Sequence, residues 1–258
     1  MSFEGYTTIK KLQDFPLSQV ELVEKDGKKF ILKSVPSFFE IQARRQDALA
    51  KRCKETRVPK IYWIKKVNER IYFLMEFIES DKQYIPQRAY IQTVQTFHKE
   101  TVGWKNELFP IYDYNAFLKE FPRIEPLLPR VIVKSLEMKL VEFEAIFHLQ
   151  NSIVHGDWVR AQLKGRKGAY AILDFEMAFY GPSILDHAHF FLKHKTIRSN
   201  VLKELNVERD TFMKARIVET LRKIGWFLWF MDNKFTTYKF ESEIKEHVKS
   251  LDRFIKHF

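Results

Sequence analysis

The segment from Ile153 to His189 constrains this sequence more than any other part of the chain. It contains two aspartates, Asp157 and Asp174, and each follows a short apolar run. Between them, the basic stretch from Leu163 to Gly168 contains two glycines, a composition typical of a tight hairpin. Because a hairpin returns the chain on itself, we expect the two carboxylates to lie near one another at one edge.

Two carboxylates at close range repel one another unless a metal ion or a charged substrate compensates them. Phosphoryl transfer accounts for such a pair, because one acid accepts the proton of a hydroxyl group while the other holds Mg²⁺ on the phosphates. Glycosidases also use paired acids, but a basic, helical second half with a strand lysine upstream does not favour that class. The sequence contains no zinc-ligand spacing, Walker A motif or G-x-S-x-G motif.

Three motifs follow one another in this segment: His155-Gly156-Asp157, then Asp174 within Ile-Leu-Asp-Phe-Glu, then Asp186 within Gly-Pro-Ser-Ile-Leu-Asp-His-Ala. Their order and spacing resemble the aminoglycoside phosphotransferase and choline kinase branch of the protein-kinase-like superfamily. That family has H-G-D-x-x-x-x-N, then I-D-W/F-E, then G-D-P-x-x-D-L-A. The metal-binding asparagine of the family falls on Gln162, which carries its amide on an arm one methylene longer.

The resemblance implies a role for each residue of the segment. Asp157 would orient the acceptor hydroxyl and take its proton, and Asp174 would ligate Mg²⁺ with Gln162 as a possible second ligand. Arg160 would neutralise charge on the transferring phosphoryl group, although an exposed loop arginine explains it equally well. His155 and Asp186 would brace the loop through hydrogen bonds without touching substrate.

The first 80 residues have the pattern of strands around one helix. Strands from 19 to 25 and from 28 to 35 flank Asp26-Gly27, a strong two-residue hairpin signal. Lys33 ends Phe-Ile-Leu-Lys, the place where kinase-like folds carry the lysine that holds the α and β phosphates of ATP. An ordinary exposed lysine at a strand end is the alternative.

The resemblance assigns further nucleotide contacts to this region. The turn that would cover the phosphates has no glycine, so Ser18 is the candidate phosphate contact, with a turn-forming serine as the alternative. The helix from 37 to 51 has Phe38, Ile41, Ala48 and Leu49 on its apolar side. A kinase-like fold needs one acid on this helix to pair with Lys33, and the usual position falls on Arg44 or Arg45. Glu40 and Asp47 share one helical face, and Glu40 is preferred for its longer reach. Backbone groups from Glu76 to Ile78 would bind adenine, with Met75 lining the pocket.

The predicted fold is α+β and kinase-like, with two lobes. Residues 1–80 would form a small N-lobe with an antiparallel sheet and one helix, which binds nucleotide. Residues 81–258 would form a larger helical C-lobe with the catalytic loop and the acceptor site. Apolar stripes at helical spacing support the second assignment: Ile91, Val94 and His98; Leu136, Leu140, Phe143 and Phe147; Met213 to Met231; and Ile244 to Ile255.

The amino-acid composition limits the classes of partner that we expect for this chain. Forty-four Lys and Arg against 33 Asp and Glu give a net charge of +11. A basic field attracts anions, but the basic residues are spread along the chain, so a solvated basic surface is the preferred explanation and nucleic acid is not a favoured partner. The single cysteine, Cys53, and the absence of a long apolar run indicate a cytoplasmic chain with no transmembrane segment.

The sequence thus favours an ATP- and Mg²⁺-dependent kinase that phosphorylates a hydroxyl group of a small molecule. With a net charge of +11, a neutral or anionic acceptor such as a sugar, glycoconjugate or lipid headgroup suits the chain better than a cationic aminoglycoside. The alternatives are a non-catalytic kinase-like protein that binds a nucleotide or partner, and a basic regulator that binds RNA. The oligomeric state is left open.

Overall fold

The structure is a computed structural model that describes residues 5–15, 17–80, 85–166, 168–194, 197–233 and 240–256. The chain divides into two compact units. The first unit contains Met1–Thr101 and Arg160–Met177, and the second contains Val102–Val159 and Ala178–Phe258. The lobe boundary predicted after residue 80 stays a prediction, and residues 81–84 lie outside the described part.

The strands and helices have the following bounds. The strands of the described residues are β1 Thr7–Phe15, β2 Ser18–Lys25, β3 Lys28–Pro36, β4 Ile61–Val67, β5 Arg70–Glu76, β6 Asn151–Val154, β7 Leu163–Arg166, β8 Ala169–Ile172 and β9 Phe179–Pro182. The helices are α1 Glu40–Arg52, α2 Gln87–Thr101, α3 Tyr114–Ile124, α4 Arg130–Glu137, α5 Leu140–Phe147, α6 Ile184–Phe190, α7 Ser199–Leu205, α8 Arg209–Asp232 and α9 Glu241–Ile255.

The first unit contains an antiparallel sheet with the strand order β1-β2-β3-β5-β4. The hairpin predicted at Asp26-Gly27 is confirmed, since both residues have positive φ, +50° and +72°. This geometry matches the turn that two-residue hairpins prefer. Asn68, between β4 and β5, also has positive φ as expected of a turn residue.

Helix α1 follows a short 3₁₀ turn, Ser37–Phe39. Its buried face differs from the predicted apolar side, because Phe38 is 42% exposed. The residues that α1 does bury are Gln42, Ala43, Arg45, Gln46 and Leu49. Three of these are polar or charged, so hydrophobic periodicity could not identify this face, and tertiary hydrogen bonds explain it instead.

The β7–β8 hairpin belongs to the same unit as this sheet. Leu163 pairs with Ile172 and Arg166 with Ala169, which confirms the predicted hairpin. The Ile172 N–H donates to the carbonyl of Arg57 at 2.9 Å. On the other side, the Tyr90 hydroxyl of α2 donates to the carbonyl of Arg160 at 3.1 Å. The hairpin is therefore held from two directions.

Helix α8 is the central element of the second unit, where it contacts α3, α5, α6 and α9. Most of its length is buried, including the charged residues Arg216, Glu219, Arg222 and Lys223. The stripe that predicted one helix through Leu136 and Phe147 is divided, because α4 ends at Glu137 and α5 begins at Leu140. Within the described ranges, no helix is both long and apolar enough to cross a membrane.

Substitutions at Gly165 and Gly168 test whether the β7–β8 hairpin can accommodate a Cβ atom at these positions. Both have positive φ, +148° and +90°. A Cβ at Gly165 would lie 2.1 Å from the carbonyl oxygen of Ala169, whereas a Cβ at Gly168 meets nothing within 4 Å. We expect Gly168→Ala to cost only conformational strain, roughly 1–2 kcal/mol, and Gly165→Ala to cost more, about 2–4 kcal/mol.

The free energy of unfolding, measured by urea denaturation of both variants, checks this expectation. Equal losses in the two variants would show that the backbone contact at Gly165 is relieved without cost.

Candidate active site

Lys33, Gln42 and Asp174 meet within the first unit. Lys33 Nζ lies 2.7 Å from Asp174 Oδ1, and Gln42 Nε2 donates a hydrogen bond to the same oxygen. Lys33 and Gln42 are buried, whereas the Asp174 side chain is 30% exposed. Two buried donors therefore hold a carboxylate that is still accessible.

The base of the β7–β8 hairpin brings Gln162 close to this group. The Leu173 N–H donates to the carbonyl of Gln162 at 2.8 Å, which extends the strand pairing by one step. Gln162 and Asp174 thus flank the open end of the hairpin. Asp174 has a φ of +69°, a left-handed conformation that Asp tolerates better than most residues. Conformations of this kind are concentrated at functional sites.

The donor set at the hairpin base fits a magnesium ion. Mg²⁺ binds proteins through one or two oxygen ligands and takes further ligands from water and substrate phosphates. Asp174 and Gln162 offer a carboxylate and an amide oxygen, and both hydrogen bonds from described residues reach Oδ1 of Asp174, not Oδ2. In the described part of the chain no three His, Cys, Asp or Glu residues form a metal cluster.

Glu40, the predicted partner of Lys33, pairs with a neighbour on its own helix in this structure. Glu40 accepts hydrogen bonds from Arg44 at 2.9 and 2.6 Å, along the surface of α1. The residue of α1 that reaches Asp174 is Gln42, two positions later and about 200° further round the helix. A neutral amide thus stands where an acid was expected, and its Oε1 is buried with no hydrogen-bond partner among the described residues.

Arg45 fixes the backbone just beyond Asp174. Its Nη1 donates to the carbonyl of Glu176 at 2.7 Å. Burial lowers the pKa of Arg45 to about 10, so the guanidinium stays charged at neutral pH. This contact, together with Gln42, connects two residues of α1 to the segment that carries Asp174.

The segment predicted to bind adenine lies at the end of β5. The Glu76 N–H donates to the carbonyl of Lys60 at 2.9 Å, and the Glu76 carboxylate pairs with Arg57. Met75 Sδ accepts a hydrogen bond from Gln46 at 3.4 Å, and Ile78 is buried. Because the Glu76 N–H is already used, an adenine base would need backbone groups further along the predicted range.

Two other residues predicted to contact phosphate, Ser18 and Arg160, belong to the first unit. Ser18 is the first residue of β2, opposite Phe15, and is half-buried. Arg160 begins a 3₁₀ turn, Arg160–Gln162, and is exposed. Its guanidinium lies 5.8 Å from the centre of the Tyr90 ring.

In the second unit, Asp186 braces the loop that carries Asp157. Asp186 Oδ2 accepts from the His155 N–H at 2.7 Å, and its Oδ1 accepts from the Gly156 N–H at 2.9 Å. His155 and Asp186 are fully buried, and the structural role predicted for them stays a prediction. Gly156 has a φ of +77°, a conformation that glycine adopts without the steric cost of a side chain.

Two cationic side chains contact the Asp157 carboxylate. Lys223 Nζ lies 2.8 Å from Asp157 Oδ1, and His189 Nε2 lies 3.3 Å from the same oxygen. Burial raises the pKa of Asp157, but the hydrogen bond from His189 and the charge of Lys223 outweigh this effect. The pKa of this carboxyl is therefore held well below its usual range. Asp157 is ionised throughout the physiological pH range.

The contacts continue behind His189 into a buried network. His189 Nδ1 lies 2.8 Å from Glu219 Oε1, and Arg222 donates two hydrogen bonds of 2.7 Å to the Glu219 carboxylate. Arg222 Nη2 also donates to the carbonyl of Gly156 at 2.5 Å. The network thus holds the Asp157 loop both through its side chain and through its backbone.

Two opposing effects, burial and pairing with charged neighbours, set the pKa values in this network. Burial lowers the pKa of His189, but its hydrogen bonds to Asp157 and Glu219 leave it raised overall. Burial raises the pKa of Glu219, but the adjacent Arg222 leaves it lowered overall. These shifts favour ionised carboxylates on both sides of the imidazole and the protonated form of the imidazole itself.

Sequence reasoning missed the contacts of Gln42, His189, Glu219, Arg222 and Lys223. The charged residues of α8 recur at helical spacing, which could have indicated a polar face on an otherwise apolar helix. That spacing is equally typical of a solvent-exposed face, so it could not have shown that this face is buried.

No protein-family model and no curated protein sequence matches this chain. Solved structures do match. Aminoglycoside phosphotransferase APH(4)-Ia has a TM-score of 0.69 at 12% identity, covering 98% of this chain and 95% of that chain. A thermostable mutant of it, in ternary complex with AMP-PNP and hygromycin B, has a TM-score of 0.71 at 11% identity with the same coverage. Amicoumacin kinase hAmiN, in complex with AMP-PNP, Ca²⁺ and Ami, has a TM-score of 0.62 at 13% identity, covering 96% and 88%.

These likenesses confirm the predicted fold. The chain has a two-lobed, kinase-like fold, with a β-rich N-lobe and a mainly helical C-lobe, as these solved structures do.

The His189 pairing predicts a pH-dependent contribution to stability. Because pairing raises the pKa of His189 in the folded chain, its contribution is complete below about pH 6.5, the ordinary value for histidine, and is lost as the pH rises through the raised value. We expect His189→Gln to lower the free energy of unfolding more at pH 6 than at pH 10. His148→Gln, at an exposed histidine paired with Glu144 at 3.6 Å, is the matched control.

Chemical denaturation of both variants at the two pH values measures these differences. A loss for His189→Gln that does not depend on pH would contradict the protonated pairing.

Proposed function

We propose that this protein is an ATP-dependent kinase that transfers a phosphoryl group to a hydroxyl of a small molecule. The observation that carries the proposal is the set of side chains that contact its two aspartates, Asp157 and Asp174. Asp157 is held ionised by Lys223 and His189, and Asp174 stands beside Lys33 and the amide of Gln162. The fold, which it shares with structures solved in complex with AMP-PNP, supports the same reaction.

The residues of the first unit suit nucleotide binding. Lys33 would exchange part of its contact with Asp174 for the α and β phosphates of ATP. Mg²⁺, when bound, neutralises negative charge on the nucleotide phosphates. Asp174 and Gln162 would hold that ion, and Ser18 and the backbone from Glu76 to Ile78 are proposed as further nucleotide contacts. Arg160 is proposed to neutralise charge on the transferring group.

In the second unit, Asp157 would orient the acceptor hydroxyl and take its proton as the phosphoryl group is transferred. A carboxylate with a lowered pKa is a weak base but is always in the ionised form. This suits a reaction in which positioning contributes more than proton abstraction. The acceptor is proposed to be neutral or anionic, in line with the net charge of +11.

Nucleotide binding depends on Asp174 in this proposal. We expect Asp174→Ala to weaken the binding of Mg-AMP-PNP by at least about tenfold, or ~1.4 kcal/mol. Titration calorimetry measures the affinity, with Asp47→Ala as the control, since Asp47 pairs with Lys51 on the surface of α1. An unchanged affinity for Mg-AMP-PNP in Asp174→Ala would show that the metal-ligand assignment is wrong.

Phosphoryl transfer depends on Asp157. Asp157→Asn keeps the size of the side chain but removes its capacity to take a proton, so turnover should fall about 10²–10⁴-fold. The variant should still bind Mg-AMP-PNP. ADP release, followed with Mg-ATP and a broad panel of hydroxyl acceptors, measures turnover. If the wild-type chain binds Mg-AMP-PNP but transfers phosphate to no acceptor, a non-catalytic nucleotide-binding protein replaces the kinase proposal.

A further inference from the structure

Gln42 uses only one half of its amide group for hydrogen bonds with described residues. The residue is 1% exposed, and its Nε2 donates a hydrogen bond to Asp174 Oδ1. Its Oε1 is also buried and has no hydrogen-bond partner in the part of the chain that the structure describes. Buried acceptors are almost always paired, because an unpaired one has lost its hydrogen bonds to water without replacement. The amide oxygen of Gln42 therefore needs a donor.

Lys33 lies beside this amide. Its Nζ is 2.7 Å from the same Asp174 oxygen to which Gln42 donates, so the ammonium and the amide are neighbours. Lys33 is also buried, with 6% of its surface exposed. An ammonium group has three N–H donors, and Asp174 is its one hydrogen-bond acceptor among the described residues. A buried acceptor that needs a donor is thus next to a buried cation that has unused donors.

A half-turn of the amide would bring its oxygen to the lysine. The terminal torsion of a glutamine side chain has a broad, roughly two-fold energy profile. Rotation about the Cγ–Cδ bond therefore places Oε1 where Nε2 now lies, and α1 does not have to move. In the observed arrangement this rotation is unfavourable, because it would direct the amide oxygen at the carboxylate of Asp174. The rotation becomes favourable only when Asp174 no longer requires the amide donor.

Asp174 would release the amide donor when it holds Mg²⁺, as it does under the proposed function. Lys33 then exchanges part of its contact with Asp174 for the nucleotide phosphates. An oxygen from Gln42 would keep the buried ammonium hydrogen-bonded during this exchange, which matters because a poorly paired buried charge is strongly unfavourable. A carboxylate at position 42 could also accept from Lys33, but it could not donate to Asp174 when no nucleotide is bound. An amide can do both.

We propose that Gln42 is a positioning residue that changes its partner. Its amide nitrogen donates to Asp174 in the free protein, and its amide oxygen accepts from Lys33 in the nucleotide complex. The inference rests on the proposed function, because it concerns the same nucleotide site. It assigns to a neutral residue the role for which an acid on α1 was expected. Arg45 keeps α1 attached to the segment after Asp174 through the carbonyl of Glu176, so the amide turns on a fixed helix.

Two substitutions separate the functions of the amide. Gln42→Met keeps the length of the side chain but offers neither donor nor acceptor, whereas Gln42→Glu keeps an acceptor and adds a charge beside Asp174. We expect Gln42→Met to weaken the binding of Mg-AMP-PNP by about tenfold. Gln42→Glu should stay within about threefold of the wild-type affinity, because an oxygen for Lys33 remains. Titration calorimetry measures both, with Lys51→Met on the surface of α1 as the matched control.

The melting temperature without nucleotide should rank the two variants in the opposite order. Gln42→Glu should melt at a lower temperature than Gln42→Met, because its carboxylate and that of Asp174 repel one another. Gln42→Met should therefore be the more stable variant and the weaker binder. A glutamine with a purely structural role would give the same ranking in both measurements, and that result would overturn the proposal.

A double-mutant cycle tests whether Lys33 is the partner in the complex. If Gln42 acts through the Lys33 ammonium, Gln42→Met should change the Mg-AMP-PNP affinity of a Lys33→Met chain by less than about twofold. The same loss in both backgrounds would show that Gln42 acts without Lys33, and the proposal would then be wrong while the kinase assignment stands. If the wild-type chain does not bind Mg-AMP-PNP, the proposed function fails and this inference fails with it.

Discussion

The buried pair between Arg222 and Glu219 is the interaction on which the second unit depends. Both side chains lie in the interior, where an unpaired charge is strongly unfavourable, so each requires the other. Once paired, Glu219 has an oxygen for His189, and Arg222 has a donor for the carbonyl of Gly156. The position of Asp157 is a consequence of these two contacts, because His189 reaches its side chain and Gly156 precedes it in the chain.

In the first unit, fewer charged side chains compensate the carboxylate of Asp174. Asp174 is compensated by Lys33 and by the neutral amide of Gln42, which is the residue of α1 that contacts it in the described structure. A neutral amide holds the carboxylate without competing for the lysine. Lys33 therefore has one acidic partner among its described contacts, and a nucleotide phosphate would meet a lysine that is not shared between two acids. The hydrogen bond from Arg45 to Glu176 keeps the backbone beyond Asp174 in place.

Both aspartates are thus fixed by donors before any substrate arrives, which is what a reaction controlled by positioning requires. The two environments differ in kind. Asp174 has a left-handed backbone conformation and a side chain that is 30% exposed, and it lies at the open end of a hairpin. Asp157 is contacted instead by two basic side chains, Lys223 and His189.

Local sequence by itself determined the hairpins, most helices and the identity of the two aspartates, because turns, apolar periodicity and short motifs depend on neighbours in the chain. Tertiary structure alone decided which side chains contact those aspartates. Gln42 rather than Glu40 reaches Asp174 because two residues turn the helix to another face. Lys223 and Arg222 reach the Asp157 loop from more than sixty residues away in sequence, through the packing of α8 against α6. A charged residue on a helix has the same local pattern whether that face meets water or a carboxylate, so only the packing distinguishes the two.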